Sequence, residues 1–165
     1  MNPVIFLDID GVLNSTFWNN AHQTEISGGT LIDNEKVRLL TQLAKKTKAK
    51  IILHSGWKFW FSPDLHPLRR ESENLVKLLR QNGLAIDGMT PDHSTEEIRT
   101  SRKFSLVKAS EILAWLAAHE EAGQWIVIDD LDLHHQEIEK HQIRTDPNIG
   151  LTKGNILQAE NMLSG

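Results

Sequence analysis

Two aspartates, Asp8 and Asp10, bracket one isoleucine at the end of the apolar run in IFLDIDGVLN, and Gly11 follows them. Carboxylates this close repel one another, so a buried strand that leads up to them needs something to offset the charge. Side chains alternate along an extended strand, which turns positions 8 and 10 to one side and Ile9 to the other. Gly11 frees the backbone for a sharp turn directly afterwards. A second acidic pair, Asp129 and Asp130, ends the apolar run of WIVIDDLD, and a third run, IILHSGW, ends at the hydroxyl of Ser55. An oxygen-rich set of this kind suits Mg²⁺, which would offset the repulsion and draw in a phosphate. The plainer alternative is that Asp8 and Asp10 end a strand and cap a turn. The second acidic strand end favours a site, because clustered carboxylates concentrate at functional sites.

These residues must be positioned by something, and the hydrophobic pattern names it. Val4–Leu7 is short, continuous and apolar, as a strand covered on both faces should be. Asp33 is placed to cap a helix over residues 35–46, with Val37, Leu40 and Leu43 on one face. Residues 51–53 form a second buried strand. Ser72 is placed to cap a helix striped by Leu75, Leu78 and Leu79 and closed at Asn82-Gly83. A brief strand is expected near residues 84–86, and a helix after Ser105 carries Val107, Ile112, Trp115 and Leu116. Gly123 ends it before a third strong strand over 125–128; a weaker strand near 142–144 and a helix over 152–163 follow. Strands alternating with helices predict an α/β fold with a central parallel sheet, helices on both faces and right-handed crossovers. In such sheets ligands bind outside the carboxyl ends of the strands, where all three polar groups lie. Residues 14–32, 57–70 and 90–104 are long for simple connections and read as functional loops.

Composition narrows the class. A chain of 165 residues reads as one domain over 1–165, large enough for an apolar core. No apolar run of about 18 residues exists, so no membrane span is expected. The start lacks a basic stretch and a cleavage site, so export is not indicated. Cysteine is absent, which excludes disulfides and thiolate metal sites and fits the cytoplasm. A net charge of −4 argues against coating nucleic acid by bulk electrostatics, while leaving a local basic patch open.

The motifs resemble those of the haloacid dehalogenase (HAD) superfamily of phosphatases and phosphotransferases. FLDIDGVLN resembles its first motif, hhhDxDG, and IILHSGW the second; Lys108 in SLVKASEILAWL fits the third and IVIDDLD the acidic fourth. HSGWK, LLRQNGL, MTPD and GLT extend the likeness over nearly the whole chain to the HAD-like domain of multi-enzyme ("Swiss Army Knife") RNA repair proteins. The resemblance implies a three-layer Rossmann-like HAD fold with minimal or no cap, and a Mg²⁺-dependent phosphomonoesterase. Asp8 would be the nucleophile that forms an aspartyl-phosphate, and Asp10 the general acid and then base. Ser55 and Gly56 would bind phosphate with Lys108, and Asp8, Asp10, Asp130 and Asp129 would serve the metal, Asp130 directly.

Alternatives stay open at each position. Ser55 before Gly56 also reads as a turn, Asp129 and Asp130 as a cap, and Lys108 as a solvated helix lysine. Lys103, Arg102 or Lys58 could then supply the charge. His134, His135 and His141 lack a ligand pattern and read as surface residues, whereas His54 is expected near the site. Trp57, Phe59, Trp60 and Phe61 read first as core or flap packing and second as a stacking surface, with Arg69 and Arg70 nearby. Segments too short for a large cap leave an open site, which suits a phosphate on a bulky molecule such as a nucleic-acid end. A small-metabolite phosphatase and a non-enzymatic, receiver-like phosphoacceptor are the alternatives; no protein partner is expected.

Overall fold

A computed structural model describes residues 1–15 and 31–164. Five strands form one parallel sheet: β1 (Val4–Leu7), β2 (Lys50–Leu53), β3 (Gly88–Met89), β4 (Trp125–Asp129) and β5 (Gln142–Arg144). Their order is β3-β2-β1-β4-β5. The chain therefore steps outward from β1 in one direction, then crosses back to build the other half from β4. That reversal, between β1 and β4, opens a crevice beyond the strand ends. Residues 4 to 7 lie in register with 50 to 53 on one side and 125 to 128 on the other. The three polar strand ends thus stand side by side.

Among the described residues the helices are α1 (Asn34–Thr47), α2 (Arg70–Gln81), α3 (Glu96–Ser101), α4 (Ser105–Ala118), α5 (Gln136–Glu139) and α6 (Lys153–Ser164). A 3₁₀ turn, Gly56–Trp60, follows β2. The alternation of the strands sorts the core into two layers. Ile5 and Leu7 pack with Val37 and Leu40 of α1, Leu75 and Leu79 of α2, and Ile156 of α6. Val4, Phe6 and Val127 pack with Ile112 and Trp115 of α4 and with Ile138 of α5. Phe6 meets Trp115 edge-on, with ring centroids 5.3 Å apart. Fully burying each such side chain stabilises the fold by about 1.5–3 kcal/mol. Both faces of β1 are therefore apolar, which explains its unbroken hydrophobic run.

Local signals account for most boundaries. The Asp33 carboxylate accepts from the Glu35 amide to start α1, and Lys48 ends it in the left-handed region (φ 59°). Ser72 is not the N-cap residue: α2 begins at Arg70, and the Ser72 hydroxyl, in the first turn, accepts from the Arg69 amide as the third helical position of a capping box. The brief third strand lies at 88–89 and not 84–86. The Asp87 side chain takes the Ile51 amide at 2.8 Å, so parallel pairing begins only beyond it. The short helices α3 and α5 fall in segments where polar residues mask any periodicity. Of the three expected loops, residues 16–30 of the first, 14–32, lie outside the described residues. No helix among the described residues is long and apolar enough to cross a membrane.

Candidate active site

The end of β1 is pinned by its neighbours. The Asp8 amide donates to the Ile128 carbonyl at 3.0 Å, and the His54 amide to the Leu7 carbonyl at 3.1 Å. Ile9 turns back into the core and is fully buried. Asp8 and Asp10 both face a cavity of about 1230 Å³ beyond the strand ends. Gly11 has φ +82°, and a Cβ there would stand 2.7 Å from the Asp130 carboxyl carbon. Only glycine permits both the turn and that approach. Asp10 projects into the cavity with each oxygen held: Asn14 Nδ2 donates to Oδ1 at 3.0 Å, and the Trp57 indole donates to Oδ2 at 3.1 Å.

At the end of β4 the two acidic residues diverge. Asp129 is completely buried; its Oδ1 accepts from the Leu131 amide and its Oδ2 from Lys108 Nζ at 2.7 Å. Asp130 is half-buried and lines the cavity. Lys108, in the first turn of α4, also lies 3.4 Å from Asp8 Oδ1. Burial works against the Lys108 charge, but Asp8 and Asp129 outweigh it and hold the ammonium above its ordinary range. Burial, then the Asp129 charge, raises Asp8 against the pull of Lys108. Burial and the charges of Asp8 and Asp129 push Asp130 up to about 7. Oxygens of Asp8, Asp129 and Asp130 lie within 4.8 Å of one another.

Three carboxylates facing one ammonium leave a deficit of positive charge, and every donor in the set is a hard oxygen. The residues fit a divalent cation of the magnesium class.

The hydroxyl of Ser55 accepts from the Trp57 amide and starts the 3₁₀ turn. Ser55 and Gly56 both line the cavity, and a Cβ on Gly56 would meet nothing within 4 Å. Lys58 is placed elsewhere, in a buried pair with Glu111 at 2.8 Å. Arg102 and Lys103 do line the cavity. His54 lies beneath the site, its Nε2 3.5 Å from Asp129 Oδ2. Among the described residues neither ring nitrogen has a hydrogen-bond partner, and burial with the Lys108 charge lowers His54 to about 3, so the ring is neutral. His134 and His135 are exposed, while His141 stacks on Trp125 with centroids 3.7 Å apart. Sequence reasoning missed the two residues that hold Asp10. Asn14 stands four residues after Asp10 in a tight turn, a spacing that could have revealed it. Nothing local marks Trp57, in the turn after β2, as a donor to Asp10 beyond the end of β1.

No curated protein and no solved structure matches the chain. A family model described as "HAD domain in Swiss Army Knife RNA repair proteins" matches residues 4–156. The chain belongs to that family, and membership points to phosphatase-type hydrolase chemistry.

Proposed function

We propose that the domain is a Mg²⁺-dependent phosphomonoesterase that works through an aspartyl-phosphate on Asp8 and acts on phosphorylated nucleic-acid ends. The observation that carries this reading is the convergence of Asp8, Asp10, Ser55, Lys108 and Asp130 on one cavity at the sheet's switch point. Asp8 and Asp130 would hold the metal with the Asp10 backbone carbonyl; Asp129 would act behind them by fixing Lys108. When bound, the cation would neutralise charge on the carboxylates and on the phosphoryl oxygens.

The chain's own residues account for the other steps. An Asp8 oxygen attacks phosphorus and the ester oxygen departs, taking a proton from Asp10. Asp10 then accepts a proton from water as that water attacks the aspartyl-phosphate, which releases phosphate and restores Asp8. Trp57 and Asn14 aim the Asp10 carboxyl, while Ser55 and Lys108 are placed for the phosphoryl oxygens. A nucleic-acid end is favoured by Arg69, Arg102 and Lys103 along the cavity and by the RNA repair proteins in which this family's domains occur. The test is a substrate panel with Mg²⁺ or excess chelator, including 5′- and 3′-phosphorylated oligonucleotides. Metal-dependent release of phosphate from oligonucleotides is expected. Preferential turnover of small phosphomonoesters would contradict the substrate assignment, and a long-lived phosphoprotein without turnover would support a receiver.

Metal binding has a signature in stability. A carboxyl raised to about 7 keeps a proton in the native state that the unfolded chain releases near pH 4. Without metal, Asp130 therefore makes stability fall as pH rises between those values. His54, lowered to about 3, contributes the opposite slope up to about pH 6.5. The readout is thus the difference in Tm between the wild type and Asp130→Asn. In chelator the wild type should lose stability relative to the variant across that window, and saturating Mg²⁺ should cancel the loss. A flat difference with and without Mg²⁺ would remove Asp130 from the metal site.

A further inference from the structure

We infer that the mouth of the cavity is a shelf for the nucleotides adjoining a phosphorylated end of single-stranded nucleic acid. In this shelf, Arg69 backed by Trp60 takes a base, and Arg102 with Lys103 takes backbone phosphate. The inference rests on the phosphatase reading of the site and specifies the form of its substrate.

Charge is the first observation. The floor of the cavity is acidic, with Asp8, Asp10 and Asp130, and the chain as a whole carries −4. Its rim nevertheless gathers Arg69, Arg102 and Lys103. The two buried lysines nearby are already neutralised, Lys108 by Asp8 and Asp129 and Lys58 by Glu111. Arg102 and Lys103 are exposed and have no ion pair among the described residues. An acidic floor suited to a metal, beneath a rim of uncommitted cations, fits a ligand with one phosphate at its end and more behind it.

The aromatic residues are the second. The Arg69 guanidinium lies over the Trp60 ring, 4.5 Å from its centroid, and both line the cavity. Its pair with Glu71 is long, at 3.5 Å, and solvent-exposed, so it commits Arg69 only weakly. A guanidinium plane held by an indole is a ready stacking surface for an unpaired base. The same 3₁₀ turn reaches the other stretch of rim, where Phe59 meets Phe104 with centroids 5.8 Å apart. Trp57 of this turn also holds Asp10, with Trp57 and Trp60 centroids 4.9 Å apart. The shelf is therefore built onto the group proposed to protonate the leaving oxygen. A phosphopeptide would fill the floor with its single phosphate and leave the cationic rim without a regular partner.

The test compares Arg69→Gln and the double variant Arg102→Gln/Lys103→Gln with the wild type. The substrates are 5′- and 3′-phosphorylated single-stranded oligonucleotides, the matching duplexes, a phosphoserine peptide and an aryl phosphate. The ratio of kcat/KM for oligonucleotide over aryl phosphate should fall about tenfold or more in each variant. Lys77→Gln, an exposed lysine outside the cavity, should leave it unchanged. Binding of single strands to Asp8→Asn protein should weaken with salt. Adding the double substitution should reduce the log–log slope by about 1.4, about 0.7 per lost phosphate contact. Equal losses on both substrates with an unchanged slope would overturn the shelf, as would a wild-type preference for duplex or phosphopeptide. The binding arm needs no turnover. Absence of hydrolysis with a changed slope would therefore sink the phosphatase reading and keep the shelf, whereas normal hydrolysis with an unchanged slope would do the reverse.

Discussion

Asp8→Asn is expected to lower phosphate release by at least about 10⁴-fold while leaving the protein folded. An amide cannot attack phosphorus as a carboxylate does. The stability side follows from the environment of Asp8. Burial and Asp129 raise its pKa, so the native protein already disfavours the charged form and a neutral amide of the same shape is tolerated. Thermal unfolding measured beside the activity assay separates the two effects. Near wild-type activity in the variant would remove Asp8 from the chemistry.

Lys108→Met is expected to damage both folding and turnover. The Lys108 ammonium is the positive partner of a completely buried carboxylate, at 2.7 Å, and of Asp8, at 3.4 Å. Removing one member of a buried pair strands the other, at a cost of about 3–5 kcal/mol. Denaturant unfolding at neutral pH should show a loss of that order, smaller at acidic pH where the stranded carboxyls take up protons. Turnover by the folded fraction should fall by about 10²- to 10³-fold, the effect of removing one preorganised positive group from a developing oxyanion. If Lys108→Met retains activity and Lys103→Met or Arg102→Met loses it, the phosphate charge belongs to the rim instead.

The strand framework was legible because β1, β2 and β4 are buried on both faces and so carry unbroken apolar runs ending in polar residues. Parallel pairing then places those ends together, which is why three short strand-end motifs far apart in sequence meet at one cavity. Spacing could not separate Asp129 from Asp130. Side-chain direction and the reach of Lys108 separate them in space, turning one inward and leaving the other on the cavity wall. Trp57 was illegible as a partner of Asp10, since an indole 47 positions away leaves no periodic trace. Lys58 stood in sequence as a rival to the preferred Lys108; its pairing with Glu111, on the same helix as Lys108, emerges only when the 3₁₀ turn docks against α4. The third strand was misplaced because Leu84 and Ile86 are apolar for packing, while the Asp87 side chain occupies the ladder.

A covalent bond from phosphorus to Asp8 is the central step of the proposed reaction, and the Asp10→Asn protein is the means to see it. With its proton-transfer group removed, the second step should slow more than the first. Incubation with a phosphorylated oligonucleotide and Mg²⁺, acid quenching and peptide mass mapping should then find one phosphoryl group on Asp8. Phosphate released with Asp8 unmodified throughout, or the phosphoryl group found on Ser55, would contradict it.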